Sequence, residues 1–171
     1  FDHNPKNEFF VEESFPLDWM FPNLTPFGII MKINREPLPV LTEDILQRDH
    51  EFWAKYSERL IGNWITYDTK VKEITDFAEK VSMHHDFTGF KGDLKFIRDD
   101  QGQKAFSKLR SSIAGIYSWR VGQPPSGGIM PAQYIATGEN RALVEREADF
   151  AFKQAFAFCP YSPEAVYRYV Q

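Results

Sequence analysis

The sequence predicts a mainly α-helical protein built of helical hairpins, with a small two-stranded β element at its N-terminus. Three observations predict it. From residue 42 onward, segment after segment carries apolar residues at three- and four-residue steps, the spacing that gathers them on one helix face. Before residue 41, two short stretches instead alternate along the chain or concentrate aromatic and β-branched residues. Between those two stretches, Pro16, Pro22 and Pro26 each remove a backbone donor and fix φ, so a long helix is excluded there.

The first strand is expected in "EFFVEES", residues 8–14, and the second in "GIIMKIN", residues 28–34, where Ile30, Lys32 and Asn34 alternate with Ile29, Met31 and Ile33. "FPLDWMFPNLTPF" joins them as a compact aromatic crossover with room for a single turn over residues 17–21. Two strands alone are marginal in water, so an antiparallel pair here must lean on the helices that follow. This gives an expected division into a β and proline-aromatic element, residues 1–41, packed on a helical domain, residues 42–171.

Thr42 is a good N-cap, and Glu43 and Asp44 follow in the first turn, where the helix dipole favours negative charge. The apolar face of that helix runs through Ile45, Leu46, Phe52, Trp53, Tyr56 and Leu60, and Gly62 ends it. A second helix after Thr69 places Val71, Ile74, Phe77, Ala78 and Val81 inward, and "HHDFTGFKGD", residues 84–93, reads as a loop. The third helix spans about 101–120, with Ala105, Phe106, Leu109, Ile113, Ile116 and Tyr117 on its inner face. It stops before the Gly- and Pro-rich "VGQPPSGGIMP". The fourth spans about 139–158, and a fifth starts at Ser162 with Pro163 in the first helical position.

The composition bounds the function. At 43% hydrophobic and 26% charged, a chain of 171 residues can bury a core. The formal net charge of -4 and pI of 5.6 exclude a broad electrostatic footprint for nucleic acid. One cysteine, Cys159, leaves no intrachain disulfide and no cysteine-based metal site; at the end of an aromatic helix it reads as a small buried filler. The longest apolar run, residues 27–31, is far short of the roughly 18 that a membrane span needs, so this chain reads as soluble. It opens on Phe1 without a methionine or signal peptide, and so reads as a piece of something longer.

No residue set points to catalysis, a cofactor or a metal. His84, His85 and Asp86 form one histidine cluster, but adjacent side chains in an extended loop project to opposite sides. Asp49, His50 and Glu51 lie on a helix, where consecutive residues point about 100° apart. "SGG", residues 126–128, lacks the lysine and the strand-to-helix setting of a phosphate loop. The aromatic crossover offers one alternative: Trp19, Phe21 and Phe27 could stack on a small molecule or a sugar ring.

Near the C-terminus, Ala148, Phe152, Ala155 and Pro160 follow each other at steps of four, three and five. Small residues let helices approach closely, an aromatic side chain plugs the groove, and proline ends the helix. This spacing resembles the second helix of a tetratricopeptide unit, and Ile113, Ala114 and Tyr117 in "SSIAGIYSWR" fall in the order of a first helix. The resemblance implies a fragment of an α-α superhelix, a helical repeat over about 101–171 that serves protein-protein interaction. The chain departs from the family in an insertion of roughly 20 residues, 121–139, relative to the about 34-residue repeat.

A looser resemblance covers most of the chain. "EFFVEESFPLDWMFPNLTPFGIIMKINREPLP", followed by helices and by Tyr67-Asp68, resembles the C-terminal soluble region of a bacterial polytopic membrane family similar to protein O-mannosyltransferases and largely of unknown function. The corresponding features are Phe9 to Glu13, Asn23-Leu24, Pro26 to Gly28 and Ile29 to Asn34. The resemblance implies a periplasmic or otherwise extracytoplasmic appendage of a larger membrane protein, which docks or presents a substrate. The catalytic acidic residue of such transferases sits near their N-terminal membrane helices, so no catalytic residue carries over to this chain. The expected function is a non-catalytic interaction or scaffolding domain. Its expected partner is a protein, a peptide or the rest of its own longer chain.

Overall fold

The computed structural model describes residues 1, 3–13, 18–123 and 130–163. It is mainly helical, with a small antiparallel sheet at the N-terminal end. The sheet holds strands β1 (Phe9–Val11), β2 (Leu24–Phe27) and β3 (Ile30–Ile33) in the order β1-β3-β2, so the expected two strands are corrected to three. The two expected strands do pair, with Phe10 opposite Lys32. The added strand is "LTPF", part of the crossover, and Pro26 opposite Met31 is what hid it. Proline cannot donate to a ladder, but β2 lies at a sheet edge, where a missing donor is tolerated. Gly28 (φ 64) opens the two-residue loop between β2 and β3, the position where a type II′ hairpin turn needs positive φ.

The expected single turn is a 3-10 helix, Asp18–Asn23. The long helices are α1 (Glu43–Ile61), α4 (Asp100–Arg120) and α5 (Gly138–Phe158); α2 (Val71–Phe77) and α3 (Leu94–Ile97) are short. The Thr42 carbonyl accepts the first bonds of α1 from the Ile45 and Leu46 N–H groups. Gly62, at φ 94, closes α1 as a left-handed residue after its last turn. Beyond α2 the chain widens into a π-helical turn, Ala78–Met83. Val71, expected inward, is half exposed, while Ile74, Ala78 and Val81 are buried. The fifth helix lies outside the described residues from 164 on.

The chain clusters into two compact units, residues 1–50 with 112–148 and residues 51–111 with 149–171, and residue 41 falls inside the first. In the first unit, one sheet face is turned inward through Leu24, Pro26 and Met31, all buried. Phe21 stacks on Trp119 at 5.7 Å, and Tyr117 Oη donates to Asp49 Oδ2 at 2.6 Å. Arg120, almost fully buried, donates to the carbonyls of Leu38 (2.6 Å) and Pro22 (3.1 Å), tying the proline-rich segments down.

The second unit is centred on aromatic side chains. Trp53 and Phe158 are fully buried with ring centroids 6.1 Å apart, and Phe96 meets Phe158 edge-on at 6.1 Å. Arg110, also fully buried, lies over the Trp53 ring at 5.0 Å and donates through Nε to Gln154 Oε1 at 2.8 Å.

Candidate functional site

The second unit carries a hollow of about 310 Å³ at the C-terminal end of α1. Its construction follows from the local sequence. Once Gly62 has turned the chain out of α1, Trp64 Nε1 donates to the Ile61 carbonyl at 3.2 Å, satisfying one of the acceptors that a helix end leaves open. That bond fixes the indole, whose ring meets Phe77 of α2 at 4.6 Å. Phe90 stands 6.3 Å from Phe77, so three rings wall one cavity.

The far wall is the segment 84–93, held at both ends. At its start, the His84 N–H reaches back five residues to the Glu79 carbonyl at 2.9 Å, closing the π turn. His85 follows at φ 51, a left-handed conformation that few side chains adopt and that reverses the chain. At its end, the Asp93 N–H donates to the Leu60 carbonyl at 3.0 Å. Gly92 permits that approach, because a Cβ there would lie 2.5 Å from the Leu60 oxygen and 2.6 Å from Ile61 Cα. Between these anchors the Asp86 carboxylate accepts from the Thr88 N–H at 2.9 Å, and this bond, chiefly, holds the carboxyl below its usual range. Lys80 Nζ, from the π turn, donates to the Thr88 carbonyl at 2.7 Å and so spans from helix to loop.

The charge of the lining is one-sided. Lys80 and Lys91 line the hollow, and no acidic residue among those described does. An aromatic wall with a cationic rim suits binding of an apolar group that carries negative charge. π-helical turns occur often at functional sites, and Ala78–Met83 builds one side of this cavity.

Among the described residues no group of three or more histidine, cysteine, aspartate or glutamate side chains could hold a metal ion. No helix among them is long and apolar enough to cross a membrane. His84 and His85 are exposed, and Cys159 is fully buried with its thiol pushed up by burial.

The three aromatic residues of the expected stacking platform lie apart in character. Trp19 is 71% exposed and lines a separate hollow of about 450 Å³ in the first unit with Phe1, Phe9 and Arg35. Phe21 is 6% exposed and belongs to the core beside Trp119. Phe27, 46% exposed, sits on the outer sheet face with Phe10, ring centroids 5.0 Å apart. Of the residues with repeat-like spacing, Ile113, Ala114, Tyr117 and Ala148 are buried in the first unit. Phe152, Ala155 and Pro160 belong to the second unit, where Ala155 is buried and Phe152 and Pro160 are half-buried. The fully buried rings of α5 are Phe150 and Phe158.

Sequence reasoning missed Trp64, Lys80, Phe90 and Lys91 as a set. The signal available was a glycine-containing loop carrying Phe87 and Phe90 with Lys91 directly after the second helix, together with Gly62 and Trp64 marking the end of the first. Comparison of the chain with protein-family models, with curated proteins and with solved structures gives no match.

Proposed function

We propose that the chain is a non-catalytic interaction domain and that the aromatic hollow at the end of α1 is its binding element for a protein or peptide partner. The observation that carries this reading is the cavity itself: three rings and two lysines, on a turn and loop fixed by hydrogen bonds at both ends. Rigid elements around a concave aromatic wall are what a side chain from a partner needs as an anchor site. The tetratricopeptide-like character of the α4 and α5 region, and an extracytoplasmic place beside a bacterial membrane protein, belong to the same reading through the resemblances in the sequence.

The test is selection of peptides from a displayed library on the whole chain, then titration of the selected peptides against wild type and Thr88→Trp. Thr88 is exposed at the lip of the hollow, so the larger side chain closes it without entering the core. Affinity should fall at least tenfold, about 1.4 kcal/mol, in the variant. Equal affinity for both proteins would remove the hollow as the binding element.

A second reading is supported by the exposed Trp19 face in the first unit: a sugar or small planar ligand stacking there, with Arg35 beside it. Sugars present at a hundred times their Kd should stabilise the fold by about 2.7 kcal/mol, seen as a rise in Tm that Trp19→Ala abolishes.

A further inference from the structure

We infer that the hollow at the end of α1 recognises the C-terminal aromatic residue of a polypeptide, taking its ring against the wall formed by Trp64, Phe77 and Phe90 and its terminal carboxylate on Lys80 and Lys91. The inference rests on the reading of that hollow as a binding element and adds the chemistry of what enters it. Size comes first. At about 310 Å³ the cavity lies at the lower end of the roughly 300 to 1,000 Å³ of ligand sites, and it is partly open to solvent. Such a space takes one ring-sized group and leaves the remainder of its bearer outside, which fits a side chain projecting from a larger partner.

Charge comes second. In a chain with 24 acidic and 20 basic residues, two cations and no acid among the described lining residues is a local reversal of sign. Asp86, in the same loop, is not part of the lining and is engaged chiefly by the Thr88 N–H, although its charge also interacts with that of Lys80. Lys80 uses one of its three donors on the Thr88 carbonyl, which fixes the ammonium while leaving two for an anion. Lys91 is exposed, and its Cβ stands 3.6 Å from where a Cβ on Gly62 would lie, an ordinary contact distance that places its stem beside the Gly62 turn. A ring with a carboxylate a few bonds away matches both features, and a chain-terminal Phe, Tyr or Trp presents them together.

The experiment uses the whole chain and four probes: a hexapeptide ending in Phe with a free carboxylate, the same peptide as its C-terminal amide, a Leu-ending acid, and 3-phenylpropionate. Affinities come from calorimetric titration, and the site from amide chemical-shift changes. The Phe-ending acid should bind about tenfold or more tightly than its amide and than the Leu acid, with a preference that shrinks as salt rises from about 50 to 500 mM. Lys91→Met should remove most of the acid preference. Lys80→Met should do the same, and Lys91→Met is the cleaner variant because Lys80 also braces the loop.

Equal affinity of acid and amide, or a preference that survives both lysine changes, overturns the inference. If acid and amide bind equally and both perturb Trp64, the hollow remains a binding element and the carboxylate assignment falls. If no probe perturbs Trp64, Phe77 or Phe90, the inference falls, and the reading of the hollow as a binding element is decided by the Thr88→Trp titration. Binding of 3-phenylpropionate as tight as that of the peptide would overturn the polypeptide as the source of the ring and carboxylate.

Discussion

Arg120 and Cys159 are both buried, and their titrations point in opposite directions. Burial pushes the Arg120 guanidinium down from its ordinary range to about 10, so folding penalises its charged form. That penalty is constant at every pH below about 10 and fades only above it, so Arg120 contributes no pH dependence across the neutral range. Its bonds to three backbone carbonyls are what it contributes instead. Arg120→Met should cost about 2 to 4 kcal/mol in urea unfolding, since buried acceptors lose charged donors. A loss below about 0.5 kcal/mol would mean that those bonds are not made in solution.

Burial raises the Cys159 thiol above its ordinary range, against a hydrogen bond with Tyr161 that pulls it down. The unfolded thiol therefore ionises first, and the stability from Cys159 is full below about pH 9 and is lost as pH rises through the folded value. Stability measured from pH 7 to 10 should fall more steeply in wild type than in Cys159→Ala. Iodoacetamide should label the native thiol far more slowly than the urea-unfolded one at pH 8.

At the scale of elements, the α5 aromatics separate by burial. Phe158→Ala should cost about 3 to 5 kcal/mol, because the ring touches Trp53, Phe96 and Phe106 in a filled interior. Phe152→Ala should cost clearly less, as the side chain is half-buried. Gly92→Ala should cost at least about 2 kcal/mol by driving a methyl group onto the backbone of Leu60 and Ile61; an unchanged Tm would show that the loop does not dock there. The long helices were legible in the sequence because Thr42, Gly62, the acidic first turns and the apolar periodicity all agree. The sequence could not reveal β2, since Pro26 signals a break unless the strand is known to be an edge. Four-residue α3 is too short for a period, and the π turn depends on one carbonyl choosing a donor five residues away rather than four. The candidate site was illegible for the same reason: its rings come from a helix end, a short helix and a loop, and no spacing along the chain links them.

At the scale of the molecule, each compact unit is assembled from two separate stretches of sequence, and α1, α4 and α5 each contribute to both. A cut at residue 41, where composition changes, therefore runs through the first unit. The fragment 42–171 would leave Arg120 without the Leu38, Pro39 and Pro22 carbonyls and Trp119 without Phe21. It should lose near-ultraviolet circular dichroism from its aromatic core while the whole chain retains it. A fragment with native near-ultraviolet signal would show that the N-terminal 41 residues are dispensable.

The proline that concealed β2 also governs how one molecule meets another. A sheet whose outer face shows Phe10 and Phe27 would invite stacking of copies if its rims offered a row of free donors and acceptors. Here one rim is only three residues long and the other is interrupted by Pro26, which has no N–H to give. Neither rim is a template onto which a further strand could zip. The exposed rings can thus be kept at the surface without the sheet extending into a fibre, and Pro26→Val should raise the rate of thioflavin-positive aggregation at elevated concentration even where it leaves the monomer's Tm unchanged.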